Sequence, residues 1–445
     1  MNRAPDLDST LERLERFGVR LGLETTHRLL EGLGEPQLEY PVVLVAGTNG
    51  KGSTAALLDS MARASGYRVG LYTSPHLESV EERVRVGGFG IARGDLANLV
   101  ARVVDTADRL LGHAPTYFEA LTAAAFEHFA RSEVDLAVVE VGLGGRLDAT
   151  NACEPILSII TEIGLEHQAF LGNSLAAIAG EKAGILRPGA PAVAWLEHPE
   201  ARAVVRQRAD SLGADLTIGS EVASIVRTGA FSHTGQELVV TTPKRSYGVA
   251  LPLLGEFQQP NLALAVLAAE RLADRGFCRL TPQSIVQGAT EVRWPARLEL
   301  VRVSKESTVL LDVAHNPDGA RALRSFLESL ARPYNLLYGT LDDKDVGSIL
   351  PLLAGPADHV VLTAPSSPRA LEPIRFHSLV PSGSVVVVPE AKEALTRLLD
   401  CGGSLALVCG SVHLVGELRQ ELRRRFGVPY SAVDLVLSLP QASES

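Results

Sequence analysis

The chain has 445 residues, of which 46% are hydrophobic and 21% are charged, a composition typical of globular and not of disordered proteins. At roughly 100–200 residues per domain, this length predicts about two to four domains. The 42 Lys and Arg against 52 Asp and Glu leave a net charge of −10, which excludes a broad basic surface for nucleic acid. A single anionic ligand stays compatible with this charge, because backbone amides and one or two lysines can hold phosphate.

The four cysteines are scattered and form no C-x-x-C pair, so neither a zinc ribbon nor a redox motif is predicted. The first residues, MNRAPDLDSTLERLERFG, are charged and lack an apolar core, so we expect no signal peptide. The sequence contains no run of about 18 apolar residues, so no membrane-spanning helix is predicted. These features together favour a cytoplasmic protein without a membrane partner, and we expect a monomer.

Short apolar runs alternate with longer amphipathic stretches from residue 42 onward. Val42–Ala46, Leu136–Val141 and Ile156–Thr161 are predominantly apolar runs, as expected for strands buried on both faces of a parallel sheet. Helical patterns lie between them, including Ser53–Ser65 and Phe118–Arg131. This alternation predicts an α/β fold with a mostly parallel sheet and right-handed crossovers.

The pattern changes after residue 220 and then returns. Ser220–Leu254 alternates in short stretches separated by glycines, which predicts a small antiparallel meander, and Asn261–Arg275 is strongly periodic and helical. Thr281–Arg297 contains two prolines and a glycine and is interpreted as a boundary. Five further strand candidates follow: Val309–Val313, Leu336–Gly339, His359–Leu362, Ser384–Val388 and Leu405–Cys409. We therefore predict an N-terminal P-loop-like domain over 1–296 and a C-terminal Rossmann-like α/β domain over 297–445.

The strongest local motif is the glycine-rich stretch Gly47–Thr54, with the sequence GTNGKGST, between a predicted strand and a predicted helix. Its glycines let backbone N–H groups point at phosphate oxygens, and the helix N-terminus adds its positive dipole. Lys51 can reach the outer phosphates of a nucleotide, and the Ser53 hydroxyl can bind Mg²⁺. The loop is shorter than the common P-loop, since only Thr48 and Asn49 separate Gly47 from Gly50-Lys51.

Polar residues follow the neighbouring strands at the edge where open α/β sheets bind ligands. Glu140 ends one strand, where its carboxylate could hold Mg²⁺, and Ser74 and His76 follow another. His167 follows a third, although a lone histidine is more often structural than a ligand. Lys182, taken alone, is interpreted as a surface lysine paired with Glu181.

These motifs resemble those of the folylpolyglutamate synthase/dihydrofolate synthase family of the Mur ligase superfamily, over nearly the whole chain. Nine motifs occur in order: Gly47–Thr54, Thr73–Leu77 (TSPHL), Tyr117–Phe126, Glu140–Asn151 (EVGLGGRLDATN), Ile163–Gly172, Glu181–Gly189 (EKAGILRPG), Trp294–Glu299 (WPARLE), Asp312–Gly319 (DVAHNPDG) and Gly410–Glu417.

The resemblance implies a role for each matching residue. It implies a triphosphate cradle at Gly47, Thr48, Asn49, Gly50, Lys51, Gly52, Ser53 and Thr54, and further ATP contacts at Asn261, Arg297 and Asp312. It implies two Mg²⁺ ions held by Ser53, Ser74, Glu140 and His167, with Lys182 as a carbamate that also holds metal. It implies a catalytic or glutamate-binding role for His315 and Ser411. The predicted pterin pocket contains Thr116, Tyr117, Phe118, Glu119, Leu147, Asp148 and Ala149, and Ser74 and His76 are also expected to bind substrate.

The reaction implied by this resemblance is ATP-dependent ligation. A carboxylate of dihydropteroate or of a reduced folate attacks the γ-phosphate, and the amine of L-glutamate then attacks the acyl phosphate. Three positions depart from the family pattern: Glu166 stands where Asp is frequent, Val313 replaces a Gly in the second-domain motif, and Ala296 replaces the Gly of WPGR. They affect loop geometry rather than the implied ligands.

Three other functions are weighed against this interpretation. A Mur ligase of cell-wall synthesis would carry a further N-terminal domain, and only 46 residues precede Gly47. A P-loop kinase or GTPase is disfavoured by the short loop and the second α/β domain. A binding protein with a decayed site is disfavoured because the key side chains, Lys51 and Lys182 among them, are intact. Whether the chain serves dihydropteroate, folates or both stays open, although Leu21–Glu24 and Thr116–Glu119 favour both.

Overall fold

The computed structural model describes residues 6–229, 231, 235–381 and 384–427, and these form two compact units. The first unit comprises the described residues of Met1–Val226, with Val239–Val249 and Gln259–Val292. The second comprises the described residues of Arg227–Leu238, Ala250–Gln258 and Arg293–Ser445. Both units are therefore assembled from separated parts of the chain.

The first unit is built on an eight-stranded sheet. Its strands in chain order are β1 (Val42–Ala46), β2 (Val69–Tyr72), β3 (Val84–Val86), β4 (Phe89–Gly90), β5 (Leu136–Glu140), β6 (Pro155–Ile160), β7 (Pro191–Ala194) and β8 (Asp215–Ile218). The spatial order is β4-β3-β2-β5-β1-β6-β7-β8. Six strands run parallel, namely β2, β5, β1, β6, β7 and β8. Strands β3 and β4 lie at one edge, where β3 pairs antiparallel with β2 and β4 pairs antiparallel with β3. Every residue of β1, β2 and β5 is buried, as their predominantly apolar sequences predict.

The helices of the first unit include one at Pro282–Glu291, which follows the predicted meander in the chain. The helices are α1 (Leu7–Glu15), α2 (Glu24–Leu33), α3 (Lys51–Ala64), α4 (Arg93–Leu110), α5 (Tyr117–Arg131), α6 (Gln168–Leu171), α7 (Leu175–Lys182), α8 (Pro199–Leu212), α9 (Gly219–Val222), α10 (Gln258–Asp274) and α11 (Pro282–Glu291). Helix α11 packs against α3 and occupies most of the stretch that the sequence suggested as a boundary. Pro282 at the first helical position and the Thr281 cap start a helix there instead of ending one.

The meander predicted after residue 220 is present as a three-stranded sheet. It contains β9 (Ser224–Arg227), β10 (Gln236–Thr241) and β11 (Ser246–Leu251) in the spatial order β11-β10-β9. A tight turn joins β10 to β11 and is closed by the N–H of Thr242 donating to the carbonyl of Arg245, at 2.8 Å. A connection this short makes the two strands antiparallel.

The second unit has a six-stranded sheet with helices between its strands. The strands are β12 (Glu299–Arg302), β13 (Thr308–Leu311), β14 (Asn335–Tyr338), β15 (His359–Leu362), β16 (Ser384–Val387) and β17 (Leu405–Cys409). The helices are α12 (Pro317–Leu330), α13 (Val346–Ala354), α14 (Ala391–Asp400) and α15 (Val412–Phe426). The order is β12-β13-β17-β14-β15-β16, and only β12 is antiparallel to its neighbour.

The predicted α/β class, with its mostly parallel first sheet, is thereby confirmed. Within the described ranges, no helix combines the length and the apolar character that crossing a membrane requires.

The contact between α11 and α3 allows no side chain at Gly288, and this gives a test of the fold. A Cβ at this position would lie 2.3 Å from Cα and 2.5 Å from N of Met61 in α3. Because backbone cannot yield as a side chain tip can, we expect Gly288→Ala to destabilise the first unit by about 1–3 kcal/mol. Calorimetry would show this as a lower melting temperature. The control is Gly180→Ala in α7, where nothing lies within 4 Å of the added carbon. Equal melting temperatures for the two variants would contradict this packing.

Candidate active site

The turn between β1 and α3 is shaped by two glycines with positive φ, 146° at Gly47 and 88° at Gly50. A Cβ at Gly47 would lie 1.8 Å from Oγ1 of Thr161, and one at Gly50 would lie 2.1 Å from Oδ1 of Asn261. Glycine is therefore required at both positions for sterics as well as for backbone conformation. The turn delivers the N-terminus of α3, whose first amides have no partner within the helix and are suited to bind an anion.

The remaining residues of the predicted triphosphate cradle line the start of α3. Gly52, Ser53 and Thr54 are buried in its first turn. The Thr54 hydroxyl donates to Oδ1 of Asn261 at 3.5 Å, so Asn261 of α10 lies against the glycine-rich turn. Thr48 is fixed from the other side, because its N–H donates to the carbonyl of Glu162 at 2.9 Å. The predicted ATP contact at Asn261 and the predicted cradle are thus brought together.

Two ammonium groups converge on the same carbonyl of this turn. Nζ of Lys51 donates to the carbonyls of Gly47, at 3.0 Å, and Thr48, at 2.9 Å. Nζ of Lys182 also donates to the carbonyl of Gly47, at 2.6 Å, and pairs with the Glu166 carboxylate at 3.0 Å. Burial raises the pKa of Glu166, but the charges of Lys51 and Lys182 outweigh it and leave that pKa below its usual value. The turn therefore has a concentration of positive charge where phosphate is expected.

The interpretation of Lys182 as a surface lysine paired with Glu181 is wrong. The Lys182 side chain is 1% exposed, and Glu181 pairs instead with Nη2 of Arg146 at 2.8 Å. Adjacent residues on a helix point to different faces, so Glu181 and Lys182 of α7 contact different parts of the protein. Burial lowers the pKa of Lys182 to about 8, even though Glu166 acts in the opposite direction.

Two of the predicted metal ligands meet at the sheet edge. Strands β2 and β5 are parallel neighbours with Tyr72 opposite Val139, so the residues that follow them lie side by side. The N–H of Ser74 donates to Oε2 of the buried Glu140 at 3.0 Å. His167 lies at the surface, in the left-handed conformation directly before α6.

No group of three or more His, Cys, Asp or Glu side chains has a metal-binding arrangement in the described part of the chain. The predicted ligand set contains only Glu140 and His167 of those residue types; its other members are hydroxyls and Lys182. The full set accordingly stays a prediction.

The predicted pterin pocket includes the start of α5 and the loop after β5. Thr116 caps α5: its hydroxyl accepts from the N–H of Glu119 at 3.2 Å, and Oε2 of Glu119 accepts from the N–H of Thr116 at 2.7 Å. Oε1 of Glu119 is buried and has no hydrogen-bond partner, which leaves an acceptor for a ligand N–H. The Phe118 ring packs against Tyr72, with centroids 6.1 Å apart.

Asp148 holds the loop after β5, which also carries Leu147 and Ala149. Its carboxylate accepts from the N–H of Leu143 at 2.7 Å and of Thr150 at 3.0 Å. The carbonyl of Leu147 accepts from the N–H of Gly22 at 3.2 Å. The N-terminal segment Leu21–Glu24 therefore contacts the loop after β5 directly.

Arg83, which the sequence analysis did not select, links two predicted substrate-binding residues. Its Nε donates to Nδ1 of His76 at 3.0 Å, and its Cζ lies 5.1 Å from the centroid of the Tyr117 ring. The residue lies in the run VEERVRV, where arginines alternate with apolar residues as in any edge strand. No local signal distinguishes it from Arg85.

In the second unit, three predicted site residues follow two neighbouring strands. Strands β13 and β17 are parallel, with Leu311 opposite Val408, so Asp312 and Ser411 follow at the same edge. Ser411 caps α15 by accepting from the N–H of His413 at 3.2 Å. Nδ1 of His315 lies 2.8 Å from the carbonyl of Val313. Val313 needs no positive φ, which explains how valine can replace the glycine of the related motif.

The segment that carries Arg297 is braced by two carboxylates. Its neighbours Ala296 and Leu298 have φ of 57° and 51°, which is strained for residues with a side chain. The N–H of Ala296 donates to Glu299 at 2.9 Å, and the N–H of Leu298 donates to Asp312 at 3.0 Å. Burial raises the pKa of Asp312, and the positive charge of Arg297 opposes that shift.

Both parts of the chain match models of Mur ligase domains. The Mur ligase middle domain matches residues 45–269, and the Mur ligase glutamate ligase domain matches residues 296–412. Folylpolyglutamate synthase of Lacticaseibacillus casei is 35% identical over 414 residues, which are 91% of this chain and 96% of that protein. A probable bifunctional folylpolyglutamate synthase/dihydropteroate synthase of Haloferax volcanii is 37% identical over 91% of this chain, which spans 49% of that relative's length.

A solved structure of this family is similar to nearly the whole chain. The structure of Escherichia coli FolC in complex with DHPP and ADP has a TM-score of 0.85 and 30% identity, covering 96% of this chain and all of that one. The chain belongs to the folylpolyglutamate synthase/dihydrofolate synthase family of Mur-type ligases.

Glu162, whose carbonyl holds Thr48, gives a test of this region through pH. Oε1 of Glu162 is buried without a hydrogen-bond partner, and burial raises the pKa of Glu162 from 4.5 to about 7. Between those two pH values the folded protein retains a proton that the unfolded chain has lost, so its free energy of unfolding falls as pH rises. Glutamine has no proton to lose, so we expect Glu162→Gln to lack this decrease. Above pH 7 its free energy of unfolding should exceed that of the unsubstituted protein by about 2 kcal/mol.

The measurement is the melting temperature of Glu162→Gln minus that of the unsubstituted protein, followed from pH 5 to pH 8. This difference should increase with pH. Glu39→Gln, at an exposed position, controls for the loss of one negative charge. A difference that stays constant over this range would show that Glu162 is ionised throughout.

Proposed function

We propose that this chain is an ATP-dependent ligase that joins L-glutamate to a carboxylate of dihydropteroate, of a reduced folylpolyglutamate, or of both. The reaction proceeds through an acyl phosphate and releases ADP and phosphate. The observation that carries this proposal is the glycine-rich turn with Lys51 and Lys182 at its carbonyls, in a chain of this family. The structural neighbour that contains DHPP and ADP supports both the nucleotide and the pteroyl substrate.

The residues of the glycine-rich turn bind and orient the nucleotide. The amides at the start of α3 and the Lys51 ammonium hold the outer phosphates, so that the γ-phosphate faces the attacking carboxylate. The Lys51 ammonium has three N–H donors, and the carbonyls of Gly47 and Thr48 account for two of them, so the third can bind a phosphate oxygen. Arg297 is proposed, on family resemblance, as a further contact to ATP.

Magnesium is expected beside the nucleotide, where it neutralises phosphate charge when bound. The buried carboxylate of Glu140 and the hydroxyls of Ser53 and Ser74 are hard oxygen donors, which fit Mg²⁺. The imidazole of His167 is a less usual donor for this ion, and its role rests on family resemblance alone.

Lys182 is proposed to act as a carbamate. In carbamylation the lone pair of a neutral amine bonds to the carbon of CO₂ and one N–H proton leaves, so a cation becomes an anion able to hold metal. The reaction needs the neutral amine, which the lowered pKa of about 8 makes accessible near neutral pH. Burial at 1% exposure would also shield the product from water.

The second unit is proposed to supply Asp312, His315 and Ser411 for ATP contact, catalysis or glutamate binding. No nucleophilic Ser or Cys is needed, because the acyl phosphate is formed by the substrate itself. We further propose functional domains at 1–296 and 297–445 and a cytoplasmic monomer that binds neither nucleic acid nor membrane.

The substrate proposal predicts glutamate-dependent release of ADP by the purified protein. Release should occur with dihydropteroate and with tetrahydrofolate, because Leu21–Glu24 and Thr116–Glu119 both favour activity on the two acceptors. A coupled assay for ADP, with each acceptor supplied separately, measures this. Failure with both acceptors would remove the folate proposal and leave another Mur-type amide ligase with a different acceptor.

The charged side chains at the turn predict that two substitutions lower the activity to different extents. Lys51→Ala should lower kcat by at least about 1,000-fold, since it removes the cation at the transferred phosphate. Lys182→Ala should impair turnover while leaving the melting temperature within a few degrees. Lys244→Ala, which removes an exposed lysine paired with Asp274, is the matched control. Full activity in Lys182→Ala would exclude the carbamate.

A further inference from the structure

Arg83 is a buried cation that no carboxylate of the described residues neutralises. The residue is 8% exposed, and its side-chain contacts are the hydrogen bond from Nε to His76 and the stacking on Tyr117. A guanidinium cannot lose its proton in a protein, so it is charged at every physiological pH. Burying a charge is costly unless it is paired, which makes this arrangement unusual for a structural role alone.

The unpaired part of the side chain is its fork. Nη1 and Nη2 carry four N–H donors, and none of them has a hydrogen-bond partner among the described residues. The contact with His76 uses Nε and fixes the plane of the group. Such a planar fork matches the two oxygens of a carboxylate, which it binds with two parallel hydrogen bonds.

Two carboxylates near Arg83, those of Glu82 and Asp148, have other partners. Glu82, the preceding residue, accepts from the N–H groups of Leu77, Glu78 and Ser79 at 2.9–3.0 Å. Burial raises the pKa of Tyr72; Arg83 lowers it and Asp148 raises it, so both charges lie near that ring. Asp148 accepts from the backbone of Leu143 and Thr150 and does not pair with Arg83. No carboxylate of the described residues forms an ion pair with Arg83, so its fork is available to a ligand that carries the counter-charge.

The position of Arg83 indicates which ligand would supply it. Its carbonyl accepts from the N–H of Thr73 at 3.0 Å, which places it beside the segment that carries Ser74 and leads to the Glu140 carboxylate. On the other side it contacts Tyr117 at the start of the predicted pterin pocket. It therefore lies between the groups expected to bind the aromatic part of the substrate and those expected to lie near phosphate.

We propose that the fork of Arg83 binds the carboxylate of the pteroyl acid, the group that attacks ATP. This inference rests on the proposed function and assigns a binding residue to it. His76 acts through Arg83 by accepting at Nδ1, which holds the fork in orientation. A carboxylate of free glutamate has the same chemistry, so the test must distinguish the two sources.

The test compares two ligands on the same protein. Pteroate and its analogue in which hydrogen replaces the carboxylate are titrated calorimetrically into the full chain with ADP present. The unsubstituted protein should bind pteroate roughly 10- to 100-fold more tightly than the analogue, as expected for charge-assisted bidentate hydrogen bonds. In Arg83→Met this ratio should fall to about 1, while affinity for the analogue changes by less than about threefold.

Two variants make the result specific. Arg83→Lys keeps the charge but loses the fork, and should give an intermediate ratio, which serves if the Met variant does not fold. Arg85→Met removes a cation two residues away, whose Nε donates to the carbonyl of Glu82, and should leave the ratio unchanged. In turnover assays, Arg83→Lys should raise KM for the pteroyl acid while KM for ATP and for glutamate stays the same.

Contrary outcomes separate the inference from the function on which it rests. Pteroate binding with an unchanged ratio in Arg83→Met and Arg83→Lys would overturn the role of Arg83 and leave the ligase intact. A raised KM for glutamate alone would assign the fork to the other substrate and also overturn it. If the unsubstituted protein does not bind pteroate, this inference fails; the proposed function fails with it only if glutamate-dependent ADP release is also absent with both acceptors.

Discussion

Parallel pairing of β2, β5, β1 and β6 is the constraint on which the candidate site depends. Because these strands run in the same direction, the turns that follow them all reach one edge of the sheet. Gly47, Ser74 and Glu140 are thereby brought together from positions far apart in the chain. If one of these strands ran in the opposite direction, its turn would lie at the other edge, and no local sequence could compensate.

The same edge concentrates charge before any nucleotide is present. Lys51 and Lys182 share the carbonyl of Gly47, and Glu166 keeps the two like charges from acting on each other unopposed. The Glu166 carboxylate pairs with Lys182 at 3.0 Å. It therefore contributes directly to the environment of the lysine proposed to be modified.

Much of the fold could be predicted because its signals are local. Unbroken apolar runs predicted β1, β15 and β17 with the bounds that the structure has, since burial on both faces demands such runs. The helix α11 was interpreted as part of a boundary because prolines were counted without their place in a helix. In the site, the glycine-rich turn could be predicted from its local sequence. The burial of Lys182 and the lack of an ion pair at Arg83 could not, because both depend on residues distant in sequence. A lysine next to a glutamate looks the same on the surface and in the interior.

The two carboxylates that hold the backbone on either side of Arg297 have a consequence for the ATP contact proposed for this residue. Left-handed residues on both sides would sample other conformations in an unbraced loop, and the arginine would be ordered only on binding. With Glu299 and Asp312 holding the adjacent amides, this conformational entropy is already lost during folding. The backbone beneath the guanidinium is therefore preorganised, so more of the proposed attraction of Arg297 to phosphate would become binding free energy.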